Sequence, residues 1–518
     1  MSENKNVSRA AGIVGFFTLM SRILGLVRDM VLARYFGSGM AADAFFVAFR
    51  IPNLLRRLFA EGSLTIAFIP VFTEYLRRKT KDDAFQLARV VITLLSLTLV
   101  IVTLSGIILS PWIVRIQAFG FGSSGIKYDL TVLLTRVTFP YIFFISLVAL
   151  FMGILNSLRH FAAPAAAPIF LNVGIIVSAV WISPHFSQPI VGVAIGVIIG
   201  GVIQLCLQLP WVLKKGISLM PLWMPHHPAV KRIGVLMLPA IFGSAIYQFN
   251  QFIGTLLASF LAEGSVSWLY YADRLVQFPL GVFAIAVSTA ALPSLSKQAA
   301  EKELGDFRGT LEHALKLVFF ITIPSAVGLI VLGKPVIQVF FERGAFDALS
   351  TEMTNRALFF YALMRVAVSA FYALQDTKTP VKIAAITLVT NLLLSILFMG
   401  PLKHGGLALA LSMASSLQFC LLIHFLKKQV EMLDIRSIMG SAAKSFLAAV
   451  IMGSAIYGTY VLSWAKSRPV GLLSAVFHLM GLVLGGVIIY GILARVFGCR
   501  ELGSVADMFS PFIKKIRQ

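Results

Sequence analysis

LNSLRHFAAPAAAPIFLNVGIIVSAVWI, residues 155–182, and ALQDTKTPVKIAAITLVTNLLLSILFM, residues 373–399, are two versions of one segment. Each passes from a polar stretch into an apolar run and continues through a glycine-led helix to a lysine pair, Lys214 with Lys215 and Lys427 with Lys428. The hairpin around ADAFFVAFRIPNLL (42–55) has a weaker echo in WLYYADRLVQFPLGVF (268–283). An internal repeat made of apolar spans is the pattern of a transporter assembled from two related halves.

On both sides of the repeated segments, runs of about 20 apolar residues recur, enough to cross the hydrocarbon core. They fall near 9–36, 42–75, 84–113, 128–156, 162–183, 189–213, 230–262, 265–296, 309–333, 348–373, 380–400, 405–427, 438–464 and 470–497. The chain of 518 residues is 58% hydrophobic and 13% charged, with mean hydropathy +0.88, a balance that excludes a soluble globular protein. The fold class predicted is all-α, a polytopic membrane protein of about fourteen transmembrane helices. Two pseudo-symmetric six-helix lobes are expected, over 1–228 and 229–432, followed by two C-terminal helices and a tail over 433–518. The first span carries Arg22, Arg28 and Asp29 and lacks a small-residue cleavage site, so it reads as a retained helix and not a signal peptide.

Forty-four Lys and Arg against twenty-two Asp and Glu give a net charge of +22. In a soluble chain that excess would suggest nucleic acid; here it gathers in short clusters between spans, the pattern of loops facing an anionic cytoplasmic leaflet. Those clusters are RRKTKDD (77–83), the stretch from Lys214 to Arg232, KQAAEKELGDFR (297–308), Lys427 with Lys428, and the tail KKIRQ. The opposite loops, FGSGMAA, ISPHFSQP, LAEGS and MGPLKHGG, carry almost no such charge, Lys334, Arg343, Lys466 and Arg468 being the exceptions. Both termini are therefore expected on the cytoplasmic side. Cys206, Cys420 and Cys499 lie far apart and form neither a disulfide framework nor a metal-ligand spacing.

A charge at bilayer depth costs at least about 2.5 kcal/mol, so charges within spans should face a partner or a water-filled cavity. They cluster in three spans: Arg22, Arg28 and Asp29 in the first; Asp43, Arg50, Arg56, Arg57 and Glu61 in the second, with Asn53 among them; Asp273 and Arg274 in the eighth. At 1.5 Å per residue, Arg22 and Arg56 lie roughly 21 Å from the outer ends of their helices, and Arg28 and Arg274 about 12 to 14 Å. Arginine stays ionised and presents a planar fork of donors matched to phosphate oxygens, so several converging in a low-dielectric cavity would make a diphosphate receptor. Asp29, Asp43 and Asp273 would pair with them in the empty site. The alternative is a set of structural salt bridges or snorkelling side chains. Periodicity alone leaves Arg56 and Arg57 as equal candidates, because Pro52 shifts the phase of the helix.

Other motifs carry no chemistry. GLIVLGK (328–334) begins like a phosphate-binding loop but continues with Pro335 where Ser or Thr would hold magnesium. Gly192, Gly196 and Gly200, and likewise Gly481 and Gly485, have the small-residue spacing of close helix packing. None of the eight histidines sits in an HExxH pattern, and catalysis has no positive support, so the chain is read as a non-enzyme.

SRILGLVRD (21–29), ADAFFVAFRIPNLLRRLFAEG (42–62), YYADRLVQFP (270–279), ALPSLS (291–296) and DTKTPVK (376–382) together resemble the MurJ (MviN) family of the multidrug, oligosaccharidyl-lipid and polysaccharide exporter superfamily. The resemblance implies flipping of lipid II, the undecaprenyl-diphosphate peptidoglycan precursor, across the bacterial inner membrane, with the last two helices forming a groove for the lipid tail. It carries the family's cavity arginines onto Arg22, Arg28, Arg56 and Arg274, with Asp29, Asp43 and Asp273 beside them, and so favours Arg56 over Arg57. It implies no cofactor, and resetting by membrane potential or a monovalent cation such as sodium. Where a sodium site of that family uses an acidic residue, the seventh span offers Gln248, Asn250 and Gln251. The implied partners are lipid II, membrane phospholipids and cell-wall synthesis proteins, and no nucleic acid.

The expectation is a lipid II flippase working by alternating access. An exporter of drugs or of another polyprenyl-linked oligosaccharide would share the fold; the arginine cluster argues against a cationic drug. A polyprenyl-phosphate enzyme would need paired carboxylates or histidines at a cytoplasmic loop, where Lys and Arg stand instead.

Overall fold

The computed structural model describes residues 2–57, 64–279, 304–364, 379–429, 434–466 and 471–505, with isolated positions between 287 and 301. Every element among them is helical, as expected for a chain whose backbone must be satisfied within lipid. Among the described residues, nine helical stretches are long and apolar enough to cross a membrane. Helices α1 (Ser2–Phe36), α2 (Met40–Leu55) and α11 (Ser265–Pro279), which carry the charged residues singled out above, are not among the nine.

Several expected spans are broken, each at a proline. Pro52 lies within α2, which widens into a π turn at Arg56 and Arg57 before α3 (Thr65–Arg78). Pro111 stands in the first turn of α5 (Ser110–Gln117), which follows α4 (Lys81–Ile108). Pro140 separates α6 (Ile126–Thr138) from α7 (Tyr141–Ser157). Proline lacks the donor that would continue the hydrogen-bond ladder, so the helix restarts at Pro111 and Pro140 and widens after Pro52. At the start of α4, Thr80 and Asp83 form a reciprocal capping box, and the Thr80 hydroxyl and backbone N–H hold the Asp83 carboxyl below its ordinary pKa.

The chain forms two compact units. Unit 1 comprises Met1–Ser267 with Gly344–Phe346. In it α8 (Ala162–Val177) packs against both α1 and α9 (Ile190–Lys214), α2 packs on α6, α7 on α9, and α10 (Pro228–Ser259) on α3. Gly344–Phe346 join this unit because the Ala345 N–H donates to the Arg34 carbonyl at the end of α1 (2.9 Å). There Gly37 adopts φ +62°, and a Cβ would stand 2.4 Å from the Ala345 oxygen, so only glycine fits.

The glycine stripe of α9 does what its spacing implies. A Cβ at Gly200 would lie 2.8 Å from the Leu171 Cα, and one at Gly196 would lie 2.6 Å from the Ser178 Cβ. The backbones of α8 and α9 therefore touch.

Unit 2 comprises Trp268–Arg343 and Asp347–Gln518. Here α12 (Leu304–Phe340) packs on α13 (Ala348–Met364) and α16 (Ile435–Lys466); α15 (His404–Gln429) packs on α13 and α14 (Thr379–Leu402); and α17 (Leu472–Val496) packs on α16. Asp347 caps α13, accepting from the Ser350 N–H and hydroxyl, which hold its carboxyl below the usual range.

One reading is corrected in this unit. A Cβ at Gly481 or Gly485 would meet nothing within 4 Å, whereas one at Gly486 would meet the Ile456 Cδ1 at 2.5 Å. The face of α17 buried against its neighbours runs through Leu479, Gly486, Tyr490 and Ala494, one residue out of phase with the apparent motif. The GLIVLGK stretch lies wholly inside α12, which runs on to Phe340; Lys334 pairs with Glu352 at 3.2 Å, and no loop exists there to cradle phosphate.

Candidate substrate-binding site

The most deeply buried arginine of the sequence reading is Arg28, 6% exposed in the middle of α1. Its Nε and Nη2 donate to Oδ1 of Asp29 at 3.0 and 2.6 Å, and its Nη1 donates to Oδ1 of Asn172 on α8 at 3.1 Å. Asp29 is fully buried. Asn172 is fixed in turn, its Nδ2 donating to the Ser21 and Pro168 carbonyls at 3.1 and 3.3 Å. A guanidinium so deep requires such neutralisation, since leaving either member of a buried pair uncompensated costs about 3–5 kcal/mol. Arg28 is thereby held in one orientation by two helices, and Arg22 lies half-buried on the same α1.

Arg56 follows α2 and donates through Nε and Nη2 to Oδ1 of Asn53 at 3.0 and 2.8 Å. The wide turn after Pro52 places Asn53 and Arg56 together, both half-buried, as is Arg57. Arg50 reaches across to α10, donating to the Gln251 carbonyl at 2.6 Å. In unit 2, Arg274 lies over the Tyr270 ring at 5.7 Å, and Gln277 donates to Asp273 one turn away. Glu61 lies outside the described residues.

Asp43 occupies a different setting from Arg28 and Arg56. It is 1% exposed at the start of α2, and its oxygens accept from Lys127 Nζ (2.9 Å), Gly264 N–H (2.9 Å), Ser267 N–H (2.9 Å) and Ser267 Oγ (2.7 Å). Along α2 it is about 20 Å from Arg56. Beside it the Met40 N–H donates to Glu263 at 2.7 Å. The two carboxylates thus fasten the start of α2 to the chain segment that leads into α11, and one of them also neutralises Lys127.

Three partners escaped the sequence reading. Lys127 is a cation on the side expected to be poor in charge, and its proximity to a lone aspartate eighty-four residues away is a purely tertiary fact. Asn172 had a signal in the repeat: aligning Leu155 with Leu374 puts it opposite Asn391, and both asparagines are buried in apolar helices. Tyr141, fully buried against Phe49, lies within electrostatic reach of Arg56 and Arg28; nothing in its local sequence marks it. Among the described residues, no three His, Cys, Asp or Glu gather as metal ligands.

This architecture has known counterparts. Residues 32–470 match the family described as Lipid II flippase MurJ. The chain is 39% identical to the probable lipid II flippase MurJ of Vibrio cholerae, over 96% of this chain and 97% of that one. It is 40% identical to the lipid II flippase MurJ of Burkholderia cenocepacia, over 82% and 84%. Among solved structures, a lipid II flippase MurJ in an inward closed conformation superposes with a TM-score of 0.78 at 29% identity, covering 93% of this chain and 98% of the other. An inward-facing multidrug resistance transporter of the MATE family superposes with a TM-score of 0.64 at 14% identity, covering 84% and 95%, which shows a shared fold alone. The chain is a multi-pass membrane protein that belongs to the lipid II flippase MurJ family.

Proposed function

We propose that this chain flips lipid II from the inner to the outer leaflet by alternating access, with Arg28 as the central contact to the diphosphate. The observation that carries the assignment is a preoriented, buried guanidinium in a family of lipid II flippases, held by Asp29 and Asn172 rather than by packing alone. A diphosphate entering the site takes over donors now given to Asp29. Exchanging one anion for another leaves the guanidinium compensated throughout, which keeps both the empty and the loaded states affordable in a low dielectric. In unit 1, Arg22 and Arg56 are assigned to the head group, with Asn53 and Asp29 orienting them; in unit 2, Arg274 beside Asp273 is assigned as a substrate contact by the family resemblance, while the polyprenyl tail stays in lipid. Asp43, whose oxygens are already taken, is assigned to fastening the outer ends of the helices. No cofactor is assigned; resetting is assigned to membrane potential or a monovalent cation.

The test is a leaflet-resolved lipid II assay on variants matched for abundance. Bidentate recognition predicts that Arg28→Lys and Arg274→Lys each impair transport at least tenfold, since lysine keeps the charge and loses the planar fork. A diffuse positive field predicts full activity for both, which would refute the assignment. A purely structural salt bridge predicts low abundance with normal turnover per molecule.

Both termini are assigned to the cytoplasmic side, supported by the crowding of Lys and Arg in the loops 77–83, 214–232 and 297–308. Single cysteines at Thr80 and Gly305 should then be shielded from impermeant thiol reagents in intact cells, and ones at Ser124 and Ser187 labelled. All four positions are exposed, unlike Ser38, which is buried. The reverse labelling would overturn the orientation.

A further inference from the structure

Between α9 and α10 the chain runs through KGISLMPLWMPHH, residues 215–227, without regular structure. Pro221 and Pro225 forbid a helix there and stiffen the segment. Ile217 is fully buried and roots it. From that root it lies back along the first turns of α4: Arg89 Nε donates to the Met220 carbonyl (3.2 Å), the Leu222 N–H to Thr93 Oγ1 (2.9 Å), and Gln86 Nε2 to Met224 Sδ (3.5 Å).

The placement on α4 sets the depth. Twenty-eight residues make α4 roughly 42 Å long, about 12 Å more than the hydrocarbon core, and its surplus is the polar start KDDAFQ. Residues 86–93 therefore straddle the edge of the hydrocarbon. At that level Met220 is 71% and Trp223 61% exposed. Large apolar side chains turned outward at the acyl and headgroup boundary, one of them an indole, suit a lipid interface and not bulk water.

The charges that bracket the segment along the chain are of one sign, with Asp82 and Asp83 standing apart at the polar start of α4. Lys214, Lys215 and Lys231 bracket the segment and Arg89 lies beneath it, while no Asp or Glu occurs between Asp129 and Glu263. Arg232 is already paired with Glu74 (2.8 Å), and Lys214 sits over the Trp211 ring at 5.2 Å.

We propose that residues 215–227 form an interfacial strap that seats Met220 and Trp223 in the adjoining leaflet and recruits anionic phospholipid, its headgroup phosphate held by Lys214, Lys215, Lys231 and Arg89. The assignment is independent of what the chain transports and of which side the loop faces.

The full-length protein in bilayers tests it by tryptophan quenching. The emission of Trp223 is obtained as the difference between the wild type and Trp223→Phe, and the quencher is a brominated acyl chain carried on phosphatidylglycerol or on phosphatidylcholine at equal mole fraction. The expected result is stronger quenching of Trp223 by the phosphatidylglycerol. That preference should fall about fivefold for each lysine removed as Lys214→Gln, Lys215→Gln and Lys231→Gln, and shrink with added salt. Unchanged quenching of Trp112, Trp181, Trp268 and Trp464, which leaves out Trp211 because Lys214 sits over its ring, establishes that the lysine variants are folded. No quenching of Trp223 by either lipid would mean that water or a protein covers the strap and would overturn the proposal. Equal quenching by both lipids, or a preference that survives the triple lysine substitution, would overturn the anionic recognition. Displacement of the phosphatidylglycerol signal by an equal fraction of polyprenyl diphosphate would reassign the strap to the transported lipid.

Discussion

Arg28→Ala is expected to abolish complementation of a flippase-depleted strain even when its abundance in the membrane is matched to that of the wild type. Removing the guanidinium takes away charge-assisted hydrogen bonds to the diphosphate, each worth about 1.5–3 kcal/mol, so two lost bonds alone lower transport by more than a hundredfold. The same substitution leaves Asp29 buried without its Arg28 partner, at about 3–5 kcal/mol, so a loss of thermal stability accompanies the loss of transport. Arg28→Ala with Asp29→Asn separates the two effects. The double variant should recover the thermal stability lost by Arg28→Ala but none of the transport. Transport restored by the double variant would mean that Arg28 serves only to balance Asp29, and the substrate assignment would fall. Leaflet-resolved lipid II measurement and thermal melting of the detergent-solubilised protein provide the two readouts.

Asp43→Ala is expected to behave in the opposite way, with low abundance as its first symptom. It strips Lys127 of its counter-ion and leaves the Gly264 and Ser267 N–H groups without acceptors, at about 3 kcal/mol, the low end for a buried pair because the Lys127 side chain keeps 20% exposure. Asp43→Asn should be nearly as damaging, since its amide would turn a donor toward Lys127 and Gly264. Lys127→Met should cost less, because Asp43 keeps three of its four donors. Adding Lys127→Met to Asp43→Asn should return part of the loss. Normal abundance and melting for Asp43→Ala, with transport alone impaired, would place Asp43 among the substrate contacts instead.

These two residues looked alike in sequence, both being charges within apolar spans, and their separation shows where local reading ends. A charge in a span announces that it must be compensated, because the bilayer leaves no alternative. It does not say by what. Arg28 finds its partners at the adjacent residue and on α8, 144 positions away; Asp43 finds its partners on α6 and beyond α10. The Arg56 and Arg57 ambiguity has a local root: Pro52, one turn earlier, alters the phase, and both arginines stand half-buried in a π turn that periodicity does not describe.

By itself the sequence determined that the chain is helical and membrane-embedded, and it located the nine apolar stretches found among the described residues. Those properties follow from hydrophobicity and backbone satisfaction, which act over twenty residues at a time and need no knowledge of neighbours. It also marked one face of α9 for close helix packing, because three glycines at fourfold spacing leave that face without side chains; that α8 is the partner came from the structure. Only the tertiary structure decided that the equivalent stripe in α17 lies one residue out of phase, that Asn172 orients Arg28, that Asp43 is a fastening and that residues 215–227 lie along α4. Each is a pairing between distant segments whose energy depends on distance and burial, and neither quantity is written in the order of residues along the chain.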